Sequence, residues 1–350
     1  MPGPLGTGGG GGGTSVTQVA FAETIAAPNG TVFVDSITAV GGIPASGGVS
    51  TNADLVLRPK GTGALLAQIP DNAVLGGNKR GAGAVDWQSV RTANTMVASG
   101  AASTISGGEK NTASGSTYAT VGGGSSNSAT GDISTVGGGI LCLASGQYSN
   151  VGAGYNNWAS GASASVGGGN SNTASGAYAT VPGGYLATAE LAGKLAYASG
   201  QFAASGDAQF GLTVCRATTT TNAAVNLVND GTGTFSATNH LVLPNSRVYR
   251  FTIDIVASSG TIGTASTSTY GSFGGVWTIT GAIRRATGVA TTALIGTPTV
   301  LAAAVDSVLA AVSFTVLAEA TTYGSLQIVA TGLSLTQIHW VATIMTTEVG

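Results

Sequence analysis

The stretch VGGGNSNTASGAYATVPGG, residues 166–184, contains no acid, base or thiol, and close copies of it recur upstream. The tripeptide ASG begins at Ala98, Ala113, Ala144, Ala159 and Ala174, with the variant ATG at Ala129. The spacings are 15, 16, 15, 15 and 15, and the long repeat carries its extra residue near Thr117. Degenerate copies follow from Ala189 and Ala204. A 15-residue period is too short for a pair of helices, and each glycine inside a helix would cost about 1 kcal/mol. Two strands of four or five residues with tight turns fit this period, which predicts one rung of a parallel β-solenoid. The column Ile105, Val121, Val136, Val151, Val166 and Val181 would stack inside it. Asn111, Asn157 and Asn172 recur where a turn is needed, and Asn tolerates positive φ, so they are expected to make that turn. At roughly 4.8 Å per rung, six to eight rungs give a rod on the order of 30–40 Å. Pro182 takes the place of the first glycine of GGG and removes a backbone donor, so it should mark the last regular rung.

Composition bounds the rest. The chain has 350 residues, of which 43% are apolar and only 7% charged. Disordered chains have the opposite balance, so this one folds. So little charge makes a free monomer poorly soluble, and burial in an oligomer or particle relieves that. A net charge of −2 argues against a nucleic-acid surface. No apolar run reaches membrane-spanning length, so no membrane insertion is expected. The opening MPGPLGTGGGGGGT lacks the basic and apolar parts of a signal peptide. Cys142 and Cys215 match no metal spacing and read as free thiols made in a reducing cytoplasm, with a bridge between them left open.

Residues 1–20 read as a flexible glycine-rich arm. TVFVDSITAV (31–40), DLVLRPK (54–60) and ALLAQI (64–69) read as short strands of an N-terminal β attachment segment, 21–75. A polar connector, 76–97, concentrates Lys79, Arg80, Asp86 and Arg91. The repeats occupy 98–212. From 213 to 350 the pattern changes to two-residue alternation: Tyr249, Phe251, Ile253 and Ile255 point one way, Arg250, Thr252 and Asp254 the other. That predicts antiparallel strands with one buried face, hence a β-sandwich-like domain anchored by Trp277 and Trp340.

The repeats resemble the parallel β-roll of bacteriophage fibre proteins, akin to the heads of trimeric autotransporter adhesins. NADLVLRPKGTGALLAQIPD with GGNKRGAGAVDWQ upstream, and LVLPNSRVYRF, WTITGAIRRATG, TALIGTPTV and IHWVATIMTTEV downstream, are similar to phrases flanking such repeats in tail-fibre-like proteins. The resemblance covers roughly residues 50–350. It implies an all-β, intertwined homotrimeric virion fibre assembled in the host cytoplasm. Such a fibre would attach to tail or baseplate proteins by its N-terminal part and present its C-terminal domain to a host-surface glycan or protein. Repeat 129–143 departs from the pattern, because Ile140, Leu141, Cys142 and Leu143 replace the polar turn.

Candidate chemistry is sparse. A glycan depolymerase of the tailspike type needs two carboxylates about 5–10 Å apart. Within 98–188 the acids are Glu109 and Asp132, about one and a half rungs apart, and both read as turn charges. His240 and His339 have no Ser or Cys motif beside them and no second ligand, and His339 should be exposed or face another subunit. The glycine run at 8–13 has no phosphate-loop context, so no cofactor is expected. Arg284 and Arg285 end a strand and are the candidates for contact with an anionic glycan. Thr104, Thr120, Thr135, Asn150, Ser165 and Thr180 form one broken polar column, where an ice-binding face would want two regular ones. These readings give a non-enzymatic attachment fibre, with a purely structural capsid or baseplate fibre as the alternative.

Overall fold

The computed structural model describes residues 64–350 apart from 237, 260–270 and 272. The N-terminal arm and the strands expected at 31–40 and 54–60 lie outside the described residues. The described chain is all-β, a parallel solenoid followed by antiparallel sheets, and its helical content is two 3-10 turns, Val289–Thr291 and Ser307–Leu309. No helix among the described residues is long and apolar enough to cross a membrane.

Each rung of the solenoid contributes two short parallel pairings. One column runs through Leu65–Leu66, Val85–Asp86, Thr104–Ile105, Thr120–Val121, Thr135–Val136, Asn150–Val151, Ser165–Val166 and Thr180–Val181 to Leu195–Ser199. The other runs from Thr112–Ala113 to Thr188–Ala189 through Ser128–Ala129, Leu143–Ala144, Trp158–Ala159 and Thr173–Ala174. A third corner is stitched by single bridges in the order Glu109, Ser125, Ile140, Tyr155, Asn170, Tyr185. In every two-residue strand from Thr104 to Ala189, Gly184–Tyr185 apart, the second residue points inward and is buried. Ile105 and the valines at 121, 136, 151, 166 and 181 are 0% exposed, each contributing roughly 1.5–3 kcal/mol by burial. Alanines fill the opposite wall, which keeps the coil thin.

Two backbone features explain the bland consensus. The glycine of ASG lies against the next rung: a Cβ on Gly131 would meet the Gly146 carbonyl oxygen at 2.1 Å, and one on Gly146 would meet that of Gly161 at 2.0 Å. Only glycine allows the coils to approach so closely. The asparagines, by contrast, do not make the turn by positive φ. The left-handed residue is the one before each of them: Lys110 (φ 56), Ser126 (φ 58), Asn156 (φ 53) and Ser171 (φ 54). Asn111, Asn127, Asn157 and Asn172 are buried instead, and their amides form an internal ladder. Asn157 donates from Nδ2 to Ala153 O at 2.8 Å and Gly169 O at 2.9 Å, while its Oδ1 accepts the N–H of Asn172 at 3.0 Å. Cys142 occupies an asparagine position in this ladder. Its N–H donates to Asn127 Oδ1, and its thiol donates weakly to the Ile140 and Gly154 carbonyls.

The parallel stack begins upstream of residue 98. The segment expected as a polar connector contributes the rung strand Val85–Asp86, and Asp86 stands in register with Ile105, in the valine column. Its carboxylate is fully buried and held by Arg80 at 2.8 Å and Arg91 at 3.1 Å. Gln88 begins the amide ladder, accepting the Asn111 N–H and donating to the Asn111 carbonyl. Charge in the segment expected as a polar connector is therefore an interior cluster, one carboxylate held between two guanidinium groups.

At the other end the solenoid changes hand-over to antiparallel pairing. Gly122, Gly137, Gly152 and Gly167 each donate to the carbonyl of the next rung's valine, and Pro182, without an N–H, ends that line. Thr188–Ala189 and Leu195 still stack, but the copy at Ala204 makes no rung. There Asp207 accepts the N–H groups of Phe202, Ala203 and Ala204, which closes a turn into the strand Ala208–Thr219. The sheet continues in the order Leu195–Ser199, Ala208–Thr219, Ile338–Val349, Arg247–Ser259, Phe273–Arg285. A second sheet centres on Ser325–Thr331, paired with Ser313–Glu319, Ala224–Asn226 and Leu241–Val242. Tyr249, Phe251, Ile253 and Ile255 are all buried, with Leu326, Ile328 and Val316 in the same core. Trp277 and Trp340 stack with centroids 6.0 Å apart, and Trp340 donates its indole N–H to Thr219 Oγ1 at 3.0 Å.

At the junction, Lys194 is buried against Glu348 at 3.0 Å, and Gln209 donates to the same carboxylate at 2.7 Å. One ion pair thus fastens the last coil to the final strand.

Candidate ligand-binding surface

The residues singled out on sequence separate into buried and exposed sets. The six-residue column is interior and touches no solvent. Arg284 and Arg285 point to different places: Arg284 is exposed, whereas Arg285 donates from Nη1 to the carbonyls of Leu243 at 2.7 Å and Tyr323 at 3.1 Å. The two guanidinium groups do not act together. Glu109 lies on the bridge corner, bonded by Ser125 Oγ at 3.0 Å, while Asp132 lies on another corner and accepts the Thr117 N–H at 3.2 Å. No hydrogen bond joins them.

His339 is exposed on its strand. His240 is buried, stacked on Phe235 at 4.4 Å with Tyr323 edge-on at 5.0 Å. Burial holds its pKa down against the opposing pull of the Glu319 charge. Cys142 and Cys215 are both free and lie in separate cores. Burial, and then the Asp230 charge, push the Cys215 thiol up to about 12, so it is inert at neutral pH. Among the described residues no group of His, Cys, Asp and Glu is placed to hold a metal ion.

Two exposed features stand apart from the bland surface. The first is an apolar corner made by the aberrant repeat and its neighbour. Ile140 bridges to Tyr155 and Leu143 pairs with Trp158, so Ile140, Leu141, Leu143, Tyr155 and Trp158 form one tract across two rungs. Ile140, Leu141, Tyr155 and Trp158 are 45–48% exposed. On the outer face of the large sheet, Val341, Val256 and Val276 lie side by side in register and are also about half-exposed.

The second feature is a cavity of about 420 Å³ where the last coils meet the C-terminal domain. Its near wall is Tyr178, which occupies a coil corner at φ 60 and is 71% exposed. The same corner one rung on is Gly193, whose missing side chain leaves the space above Tyr178 open. The far wall is the loop after Val228. Arg216 and Val228 exchange backbone hydrogen bonds, and Arg216 then donates from Nη1 to Asn229 O and from Nη2 to Asp230 O, each at 3.1 Å. Asn229 spans the base, donating from Nδ2 to Ala192 O at 2.7 Å. The Asp230 carboxylate is fixed by Thr232 and Asn239. Slight desolvation raises its pKa, but these bonds and the Arg216 charge outweigh that and hold it below the usual carboxylate value. Sequence reasoning missed this cluster, because Tyr178 reads as a repeat residue and Arg216 and Asp230 carry no motif.

No known protein family and no curated protein matches the chain in sequence. Solved structures do show similarity. The tailspike protein of Acinetobacter phage vB_ApiP_P1 matches at 12% identity over 77% of this chain and 54% of that one, with a TM-score of 0.23. The tailspike of Acinetobacter baumannii phage AM24 matches at 10% over 81% and 56%, TM-score 0.24. Tailspike gp49 of Acinetobacter baumannii bacteriophage Fri1, described as a capsular polysaccharide depolymerase, matches at 9% over 80% and 56%, TM-score 0.20. The chain thus spans little more than half the length of the tailspikes it matches. Because the matched proteins include an enzyme, the expectation that this chain is non-enzymatic is corrected and is not carried forward.

Proposed function

We propose that the chain is a virion fibre or spike of a bacteriophage, a homotrimer that docks to the particle through its N-terminal part and meets the host surface with its C-terminal region. The observation that carries this reading is the clustering of exposed apolar residues. A monomer of such low charge leaves the Ile140–Trp158 corner and the Val341–Val256–Val276 row half in water. Contiguous patches of this kind mark contact surfaces. Packing of copies against them removes both from solvent and covers sheet edges. Three copies on one rigid coil also multiply weak surface contacts by effective concentration.

The test is sedimentation of the purified chain, joined to gold-labelled antibody on particles of the phage that encodes it. A species of three times the 33.8 kDa chain mass and label on the tail are expected. Replacing Tyr155 and Trp158 by Asp should release smaller species. A wild-type monomer contradicts the assembly, and label confined to the capsid shell contradicts the tail placement in favour of a capsid-associated fibre.

A further inference from the structure

We propose that the cleft between Tyr178 and the Arg216–Asp230 loop binds a single neutral hexose unit of a surface polysaccharide. This rests on the reading of the chain as a surface-adhesion protein and assigns that contact a place. The cleft volume lies within the range of small-ligand sites, at the lower end. Its two walls differ in the way a pyranose ring differs on its face and its rim. Tyr178 offers an open aromatic face to C–H groups, held at a fixed corner of a stacked coil. The opposite wall offers fixed polar groups to hydroxyls.

Each polar group has capacity left after its structural bonds. Arg216 uses one N–H on each of its two terminal nitrogens for the Asn229 and Asp230 carbonyls, and the second N–H on each nitrogen is free to donate. Asp230 Oδ1 accepts from Thr232 twice and Oδ2 accepts once from Asn239, so a carboxylate with about four acceptor sites has one to spare. Asn229 donates its amide hydrogens to Ala192 and Thr238, so what it offers a ligand is its Oδ1, an acceptor. All three groups are pinned before any ligand arrives, so little ordering cost falls on binding. One cation, Arg216, and one anion, Asp230, face the cleft and offset each other, so an ionised sugar would lose at Asp230 what it gains at Arg216, and a neutral ring needs neither charge. Val214 gives the floor an apolar patch.

The coil itself supplies variants that leave the fold alone. Ser163 occupies the Tyr178 corner one rung earlier at φ 55, so Tyr178→Ser has a precedent inside the chain. Tyr118 and Tyr148 occupy the same corner at φ 55 and φ 59, and a Cβ at Gly193 (φ 69) meets nothing within 4 Å. Gly193→Tyr therefore fills the cleft with a residue the corner already accepts.

The experiment is saturation-transfer NMR on the purified chain with methyl glycosides of glucose, galactose, mannose and N-acetylglucosamine, and glucuronate as the charged control. At least one neutral glycoside should bind with a Kd on the order of 1 mM. Tyr178→Ser and Gly193→Tyr should each weaken it by about tenfold or more at unchanged Tm. Binding of none of the four, equal binding to both variants, or tighter binding of glucuronate overturns the proposal. No sugar binding by an intact three-chain species removes the cleft site and leaves the fibre reading standing. Sugar binding by a monomer does the reverse.

Discussion

The coil and the C-terminal domain bury their residues in opposite ways. In the coil every pairing joins positions about one rung apart, as Thr120 with Thr135 and Trp158 with Thr173. In the C-terminal domain Ala208 lies opposite Val349, and the core is built from Trp, Tyr, Phe and Ile. The coil interior holds Val, Ala and amide groups, so stability there is a sum of similar small terms passed between neighbours. The C-terminal core gathers buried side chains from strands far apart in sequence into one cluster, an arrangement expected to unfold as one cooperative unit. A chain with little charge can therefore fold by repetition or by closure, and this one does each in turn.

That contrast can be broken by substitution. Trp340→Ala should cost about 3–5 kcal/mol and lower the main calorimetric transition, because it removes the ring stacked on Trp277 and the bond to Thr219. Hydrogen exchange in the rungs from Thr104 to Thr173 should not change; faster exchange there would mean the two regions share one transition. Asn157→Ala should cost about 2–3 kcal/mol, since the buried N–H of Asn172 loses its acceptor. Its effect should stay within the adjoining rungs by the same exchange measurement, and spread into the C-terminal strands would contradict the nearest-neighbour account.

A smaller effect concerns acid. Partial burial raises the Glu319 pKa, but hydrogen bonds from Thr321, Thr322, Tyr323 and Gly324 overcome this and hold it at about 2. The folded value lies below the ordinary glutamate value of 4.5, so the contribution is present above that pH and is lost as pH falls towards 2. Glu319→Gln should lower stability by about 1 kcal/mol at pH 7, the partly exposed site being screened, and make no difference at pH 2. Chemical denaturation at both pH values reads this, and an equal loss at pH 2 would exclude the charge as the cause. Smallest of all, Ile133 is a β-branched, exposed residue at φ 55. Ile133→Gly should raise coil stability by about 0.5–1 kcal/mol, seen as slower exchange in its rung.

The period, the valine column and the alternation of Tyr249 to Ile255 were legible because each is a one-dimensional pattern. The asparagine role was not. The left-handed position falls on Lys110, Ser126, Leu141, Asn156 and Ser171, whose variety leaves no compositional mark, whereas the repeated Asn is needed for its amide. The interior place of Asp86 was not legible within the segment read as a polar connector, because a charge in an interior column becomes visible only when Arg80 and Arg91 fold back onto it. The cleft was hidden for a similar reason. Tyr178 and Asp230 meet only because the strand Ala208–Thr219 returns antiparallel to the last coil, and no local pattern encodes that return.

The central claim is that the coil is a stack of interchangeable rungs beside an independent core. Removing residues 159–173 takes out one rung and joins Trp158 to Ala174 in the register their strands already share. Removing 159–166 takes out about half a rung and puts the wrong column against its neighbour. Melting of the two deletion proteins tests the claim most directly. The full-rung deletion should keep the β-sheet circular dichroism of the stack and the wild-type C-terminal transition, while the half-rung deletion should lose the order of the stack. Equal damage from both deletions, or loss of the C-terminal transition in the first, would contradict it.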